Sequence, residues 1–161
     1  MNQISRGLIL GAVGLMLLSG PFSWSQGPVN PKQPPRLEPI AETKLIMEGF
    51  TKPNFDGLTK TLAKKPTEQE AWVFARGQAL LVAESANLLM LRPPRTKGQQ
   101  DTWMQRSMEM RSAAKELGTV IAAKDYPTTQ AALAKLANQC NRCHADFNIK
   151  MRVEPLPGED K

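Results

Sequence analysis

An all-α fold, an antiparallel four-helix bundle, is what this sequence predicts, and three features predict it. Four long segments repeat apolar residues at alternating spacings of three and four, the period of one helix face. Prolines and turn residues punctuate the chain between them, so the connections are short. No segment has the β-branched alternation of a strand, and no internal repeat is visible. Aromatic residues at 6% and only 11 glycines in 161 residues also argue against a sandwich or barrel of short strands. Long amphipathic segments with short links pack most simply antiparallel.

The N-terminus stands apart from this pattern. Met1 to Arg6 is short and positively charged, and Leu8 to Leu18 is an apolar run of eleven residues. Ser23-Trp24-Ser25 then puts small residues at the two positions a signal peptidase reads before Gln26. Residues 1–25 therefore read as a secretory signal. A bilayer span wants about 20 apolar residues, which this run does not supply; retention as an N-terminal anchor is the alternative. Residues 26–36 hold Pro28, Pro31, Pro34 and Pro35 with almost no large apolar side chain, the composition of a tether. The bundle is expected over residues 37–152, with a tail at 153–161 marked by Pro155 and Pro157. The net charge of +6 becomes about +5 without Arg6. Basic residues such as Lys60, Lys64 and Lys65 lie far in sequence from Arg92, Arg95 and Lys97, so they read as solvated surface. For an exported chain no nucleic-acid partner is expected.

The first helix is expected from about Glu38 to Thr51, with Pro39 in its first turn. Its inner stripe would be Ile40, Thr43, Met47 and Phe50, and Pro53-Asn54 would break it. Asp56 to Lys65 reads as a short helical extension. The stretch from Asn54 to Lys65 lengthens the first connection beyond a simple turn and is a candidate cover for a cofactor edge. The second helix starts at the candidate N-cap Thr67, with Glu68 and Glu70 in its first turn. Trp72, Ala75, Ala79, Val82, Ala86 and Leu89 form its seam, and Pro93-Pro94 stops it. The third covers about Gln100 to Lys124, with Trp103, Met110, Ala114, Leu117 and Ile121 on one face. The fourth opens at Thr128, a second N-cap candidate, and repeats the spacing through Leu133, Leu136, Cys140, Cys143 and Phe147. Trp72 and Trp103 read as core residues; electron relay is the lesser alternative.

Residues 140–144 are Cys-Asn-Arg-Cys-His, and they contain every cysteine and histidine of the chain. C-x-x-C-H is the pattern of covalent attachment of a c-type haem. On a helix, residues three or four apart share a face, so Cys140 and Cys143 can reach two vinyl groups of one porphyrin while His144 ligates its iron. Competing readings fare worse. A thioredoxin-type site needs a βαβ setting, and a structural zinc takes four ligands where this chain supplies three. A Cys140–Cys143 disulfide leaves the adjacent His unexplained and is awkward on a helix.

This motif, on the last helix of a four-helix bundle and close to the C-terminus, resembles cytochrome c′ and its class II c-type relatives over roughly Leu37 to Arg152. The resemblance implies a periplasmic mono-haem protein that carries electrons or binds small gases, often as a dimer packed through its first two helices. It also implies a distal residue on the first helix, either a ligating Met or an apolar residue that leaves the iron five-coordinate. Met47 is the candidate sixth ligand, with core packing as its alternative; Met90, Met104, Met108 and Met110 read as packing residues. Two family features are replaced here. Thr43 and Lys44 stand where an Arg-Gln pair is frequent, and Asn148 stands where a basic residue often follows the haem His. With one His, bis-His ligation within the chain is excluded.

Two functions follow from the resemblance. One is electron transfer through iron held by His144 and Met47, with a soluble or membrane-bound redox partner; the other is gas binding or sensing at an open iron site. A peroxidase-like activity lacks a second His as acid–base group, so no enzymatic role is expected. Membrane association is expected only if the signal segment is retained.

Overall fold

The structure, a computed structural model, describes residues 36–154. The signal-like segment, the tether as far as Pro35 and the chain from Pro155 onward lie outside the described residues. The described chain is helical, with α1 (Thr43–Ile46), a π-helical stretch (Met47–Thr51), α2 (Lys52–Leu62), α3 (Gln69–Met90), α4 (Lys97–Ala122) and α5 (Tyr126–Asp146). Among the described residues there is no strand, and no helix is long and apolar enough to cross a membrane. α1, the π stretch and α2 follow one another without a break, so four helical rods make the bundle.

The first rod departs most from expectation. It begins at Thr43 rather than Glu38, because Pro39 disfavours helix in the residue before it and Ile40 has nothing to pack on, remaining 88% exposed. Pro53-Asn54 does not break it. A proline inside an α-helix loses one hydrogen bond and clashes with the carbonyl four residues back. Here the turn just before Pro53 is π-helical, and the Lys52 N–H bonds the Met47 carbonyl five residues back. Thr51 Oγ1 donates to the Ile46 carbonyl at 3.2 Å, and Asn54 Nδ2 donates to that of Phe50 at 2.7 Å. The proline is thus absorbed by one widened turn. The buried stripe consequently lies further along than predicted, at Thr51, Phe55, Leu58 and Leu62, while Ile40 and Leu45 are exposed. The segment from Asn54 onward is bundle helix as far as Leu62, not a lengthened connection.

The other rods follow their patterns closely. All six predicted seam residues of α3 are buried, as are Met110, Ala114, Leu117 and Ile121 of α4, with Trp103 half-buried at its edge. Two caps are displaced. Glu68 rather than Thr67 is the extended residue before α3, where the Trp72 indole holds the Pro66 carbonyl at 3.0 Å. Asp125, not Thr128, caps α5: its carboxylate accepts from Thr128 N–H at 3.3 Å and Thr128 Oγ1 at 2.6 Å. Pro127 sits inside the first turn, where its missing N–H costs nothing.

Going round the bundle, α2 packs on α3, α3 on α4 and α4 on α5. The remaining seam, between the first rod and α5, is joined at one end, where Tyr126 Oη donates to the Leu62 carbonyl at 2.9 Å. Leu58, Leu62, Val82, Leu117, Ile121, Leu133 and Leu136 are fully buried in the shared core. Each such side chain is worth about 1.5–3 kcal/mol of burial. At the other end of that seam the two rods border a cleft.

Candidate functional site

Because α5 runs antiparallel to the first rod, the turn that carries the C-x-x-C-H residues comes level with the start of that rod. The apolar seam of α5 continues into the motif. Cys140 and His144 lie on it, each 6% exposed, while Cys143 sits one step round the helix and is half-buried. Met47, Thr51 and Phe55 from the first rod face Cys140 and His144 across the cleft, whose empty space, open mouth included, is about 640 Å³. Lys52, Asp56, Thr59, Arg152 and Glu154 also line it.

A third wall comes from the chain after α5. Asn148 takes a left-handed conformation (φ 56°), which Asn tolerates better than most residues, and this turns the chain back. The Ile149 N–H then bonds the His144 carbonyl at 2.8 Å, and Met151 to Glu154 pass along the cleft as a strap. That turn gives a local reason for Asn at the position where the resemblance leads one to expect a basic residue. The strap takes in Val153 and Glu154, which the prolines beyond had placed in the tail.

The strap sets the chemistry of the imidazole. His144 Nδ1 lies 2.9 Å from the Met151 carbonyl. A carbonyl can only accept, so Nδ1 carries a proton, and in the neutral imidazole Nε2 is then the nitrogen with the free lone pair. Across the cleft, Thr51 Oγ1 is 3.6 Å from Met47 Sδ but closer to the better acceptor, the Ile46 carbonyl. Its single proton goes there, and the thioether keeps its lone pairs. Met47 is half-buried and sits at the first position of the π stretch, a kind of turn that recurs at functional sites.

Both cysteines are free. Burial pushes the Cys140 thiol up to about 12, helped by the neighbouring Cys143. The Cys143 thiol is pushed up to about 11, by burial first and by the Asp146 carboxylate second. Neutral thiols are poor metal ligands and poor redox nucleophiles. Among the described residues no group of three or more His, Cys, Asp or Glu side chains is placed to hold a metal ion by itself. Beside Cys143, Arg106 of α4 donates to Asp146 Oδ2 at 2.5 Å and to Glu109 Oε2 at 2.7 Å, locking α4 to the end of α5. These bonds raise the Arg106 guanidinium, Asp146 contributing most, and hold the Glu109 carboxyl below the usual range.

The structure thus brings Met47, Cys140 and His144 to one cleft and leaves Cys143 on its α4 side. Met90, Met104, Met108 and Met110 do not line it. Trp72 and Trp103 are packed and satisfied. Trp103 Nε1 donates to the Leu89 carbonyl at 2.8 Å, and its ring meets Phe147 edge-on at 5.1 Å. Sequence reasoning missed Thr51, Phe55, Asn141 and the strap. Phe55 was hidden by the proline just before it, although Thr51, Phe55, Leu58 and Leu62 keep the helical spacing straight across Pro53.

Comparison with known proteins identifies the family. No curated protein and no solved structure matches the chain. The family model described as Cytochrome C' matches residues 49–148, which includes the whole C-x-x-C-H motif and begins two residues after Met47. With a match over more than half its length and an all-helical four-rod fold, this chain belongs to the cytochrome c′ family of haem c-binding four-helix bundles.

Proposed function

We propose that this protein is an exported electron carrier whose haem is attached through Cys140 and Cys143 and ligated by His144 and Met47. The observation that carries the reading is the pairing of Met47 with His144 on two separate rods across one cleft. The donor set fits the group: two unpaired thiols three residues apart, an imidazole with Nε2 available, and a thioether opposite. Bound there, the haem supplies a one-electron Fe(III)/Fe(II) couple whose potential depends on its axial ligands and its burial. The chain's own part is to hold those ligands still. The Met151 carbonyl fixes the imidazole tautomer, and the widened turn points Met47 into the cleft. Phe55 and Val153 keep the interior apolar. A net charge of about +5 after signal removal would steer the protein toward an acidic redox partner. The signal-like residues 1–25 support a periplasmic location.

Gas binding is the second reading, favoured by the partial exposure of Met47 at an open-mouthed cleft. The optical spectrum of the oxidised holoprotein separates the two. Low-spin bands with a weak far-red sulfur-to-iron feature are expected for the carrier, and Met47→Ala should abolish them. A high-spin spectrum in the unmutated protein, with a sharp change when CO is added to the reduced form, would transfer the reading to gas binding.

A further inference from the structure

Asn141 stands between the two motif cysteines, at a position where haem attachment asks nothing of the side chain. Its amide is nonetheless fully engaged. Nδ2 donates to the Val153 carbonyl at 2.8 Å, and Oδ1 accepts from the Val153 N–H at 2.8 Å. A single side chain thereby holds both polar groups of one strap residue. Two residues earlier on the same strap, the Met151 carbonyl accepts from His144 Nδ1. Two residues span at most about 7 Å of chain, so fixing Val153 confines Met151. Besides these bonds, Val153 packs its half-buried side chain against the core. The strap's Arg152–Glu154 ion pair is exposed on both sides, and such pairs contribute little.

We infer that Asn141 is a positioning residue for the iron ligand, clamping the strap so that the Met151 carbonyl keeps its hydrogen bond from the His144 imidazole. This rests on the reading of His144 as ligand. A carbonyl accepting from the outer ring nitrogen fixes the ring and makes the inner one more basic. More basic nitrogen favours Fe(III), so the clamp lowers the reduction potential. Without it the strap frays, the Nδ1 proton meets water and the potential rises.

The experiment uses the haem-loaded full-length protein and three variants: Asn141→Leu, Lys150→Ala, and a chain ending at Arg152, which keeps the Met151 carbonyl and removes Val153. Two quantities are read. One is the exchange rate of the His144 Nδ1 proton by NMR in the reduced protein, with CO added where needed to make it diamagnetic; the other is the midpoint potential. Asn141→Leu should exchange that proton faster and have a more positive potential than the unmutated protein. Lys150→Ala, exposed and outside the cleft, should change neither. Haem-loaded Asn141→Leu with unaltered exchange overturns the inference, and so does an equal response in Lys150→Ala. Should Asn141→Leu fail to fold, the chain ending at Arg152 carries the test, and exchange as slow as in the unmutated protein would overturn the inference. Rapid exchange already in the unmutated protein would overturn it without any variant. Absence of haem from the unmutated protein would instead defeat the functional proposal.

Discussion

At Met47 one sulfur has two possible occupations, packing and ligation, and size-matched substitution tells them apart. Met47→Leu keeps the apolar volume, so a packing residue would be replaced at a cost below about 1.5 kcal/mol with no spectral effect. Ligation predicts the same small stability change together with loss of the low-spin spectrum, read by absorbance and thermal melts of one sample. Glu109 gives a residue-scale prediction of a different kind. The Arg106 hydrogen bond holds its carboxyl below the usual range. A depressed folded value means the unfolded chain binds the proton more readily. The stabilisation is therefore complete above the ordinary carboxylate value of about 4.3 and is lost as pH falls through the lower folded value. Glu109→Gln should flatten the acid limb of the melting profile and leave the neutral region nearly parallel to the unmutated protein. At this scale the sequence was generous where chemistry is rare. Cys140, Cys143 and His144 could be named because a spacing alone carries the meaning. Asn141 and Met151 could not, because their roles depend on a chain reversal at Asn148 that brings residues seven and twelve apart into contact.

Among the elements, the first rod has the most to test. Its π stretch resolves a conflict between Pro53 and the continuous apolar stripe from Thr51 to Leu62, and it does so within a turn of the proposed ligand. A π turn holds one residue more than an α turn, so deleting Gly49, around which there is open space, should restore α geometry. Four α residues at about 100° each sweep about the same angle as this five-residue turn, so the helix before the deletion would keep its face relative to α2. Met47 would stay on the cleft, and the low-spin spectrum and the helix content by circular dichroism would both hold. Loss of the low-spin spectrum would mean that the wide turn itself, and not only the face it preserves, is needed to direct Met47. The core faces of α3, α4 and α5 were legible because they obey a single period between proline stops, although α4 starts at Lys97 rather than Gln100 and α5 at Tyr126 rather than Thr128. The first rod was misread because proline was taken as a stop, whereas the turn before it widens to the π form and the Thr51 and Asn54 side chains add bonds to the Ile46 and Phe50 carbonyls. Caps were the least legible feature, since Thr and Asp at neighbouring positions offer the same hydrogen bond and only geometry decides.

For the whole molecule, the bundle is closed at one end and open at the other. Tyr126 seals the seam against Leu62, while the ligand end is held by the strap and by Arg106. Leu136 is fully buried at the level between them, so Leu136→Ala should cost about 2–5 kcal/mol and lower the melting temperature without altering the oxidised spectrum of the folded fraction. The outer face of α3 leaves Val73, Phe74 and Leu81 exposed, and Leu45 is exposed on the first rod. If these first two rods meet a second copy, Phe74→Asp should shift the protein from dimer to monomer in sedimentation; no shift would remove that face from consideration. Electron transfer, ligation by Met47, the clamp of the strap and the direction of charge steering all presuppose a haem bonded to Cys140 and Cys143. The decisive measurement is therefore the intact mass, under denaturing conditions, of protein made in a host that can mature c-type cytochromes. The expected mass is that of the chain cleaved after Ser25 plus one haem, with the increment lost when Cys140 and Cys143 are both replaced by Ser. The bare polypeptide mass in the unmutated protein would contradict it.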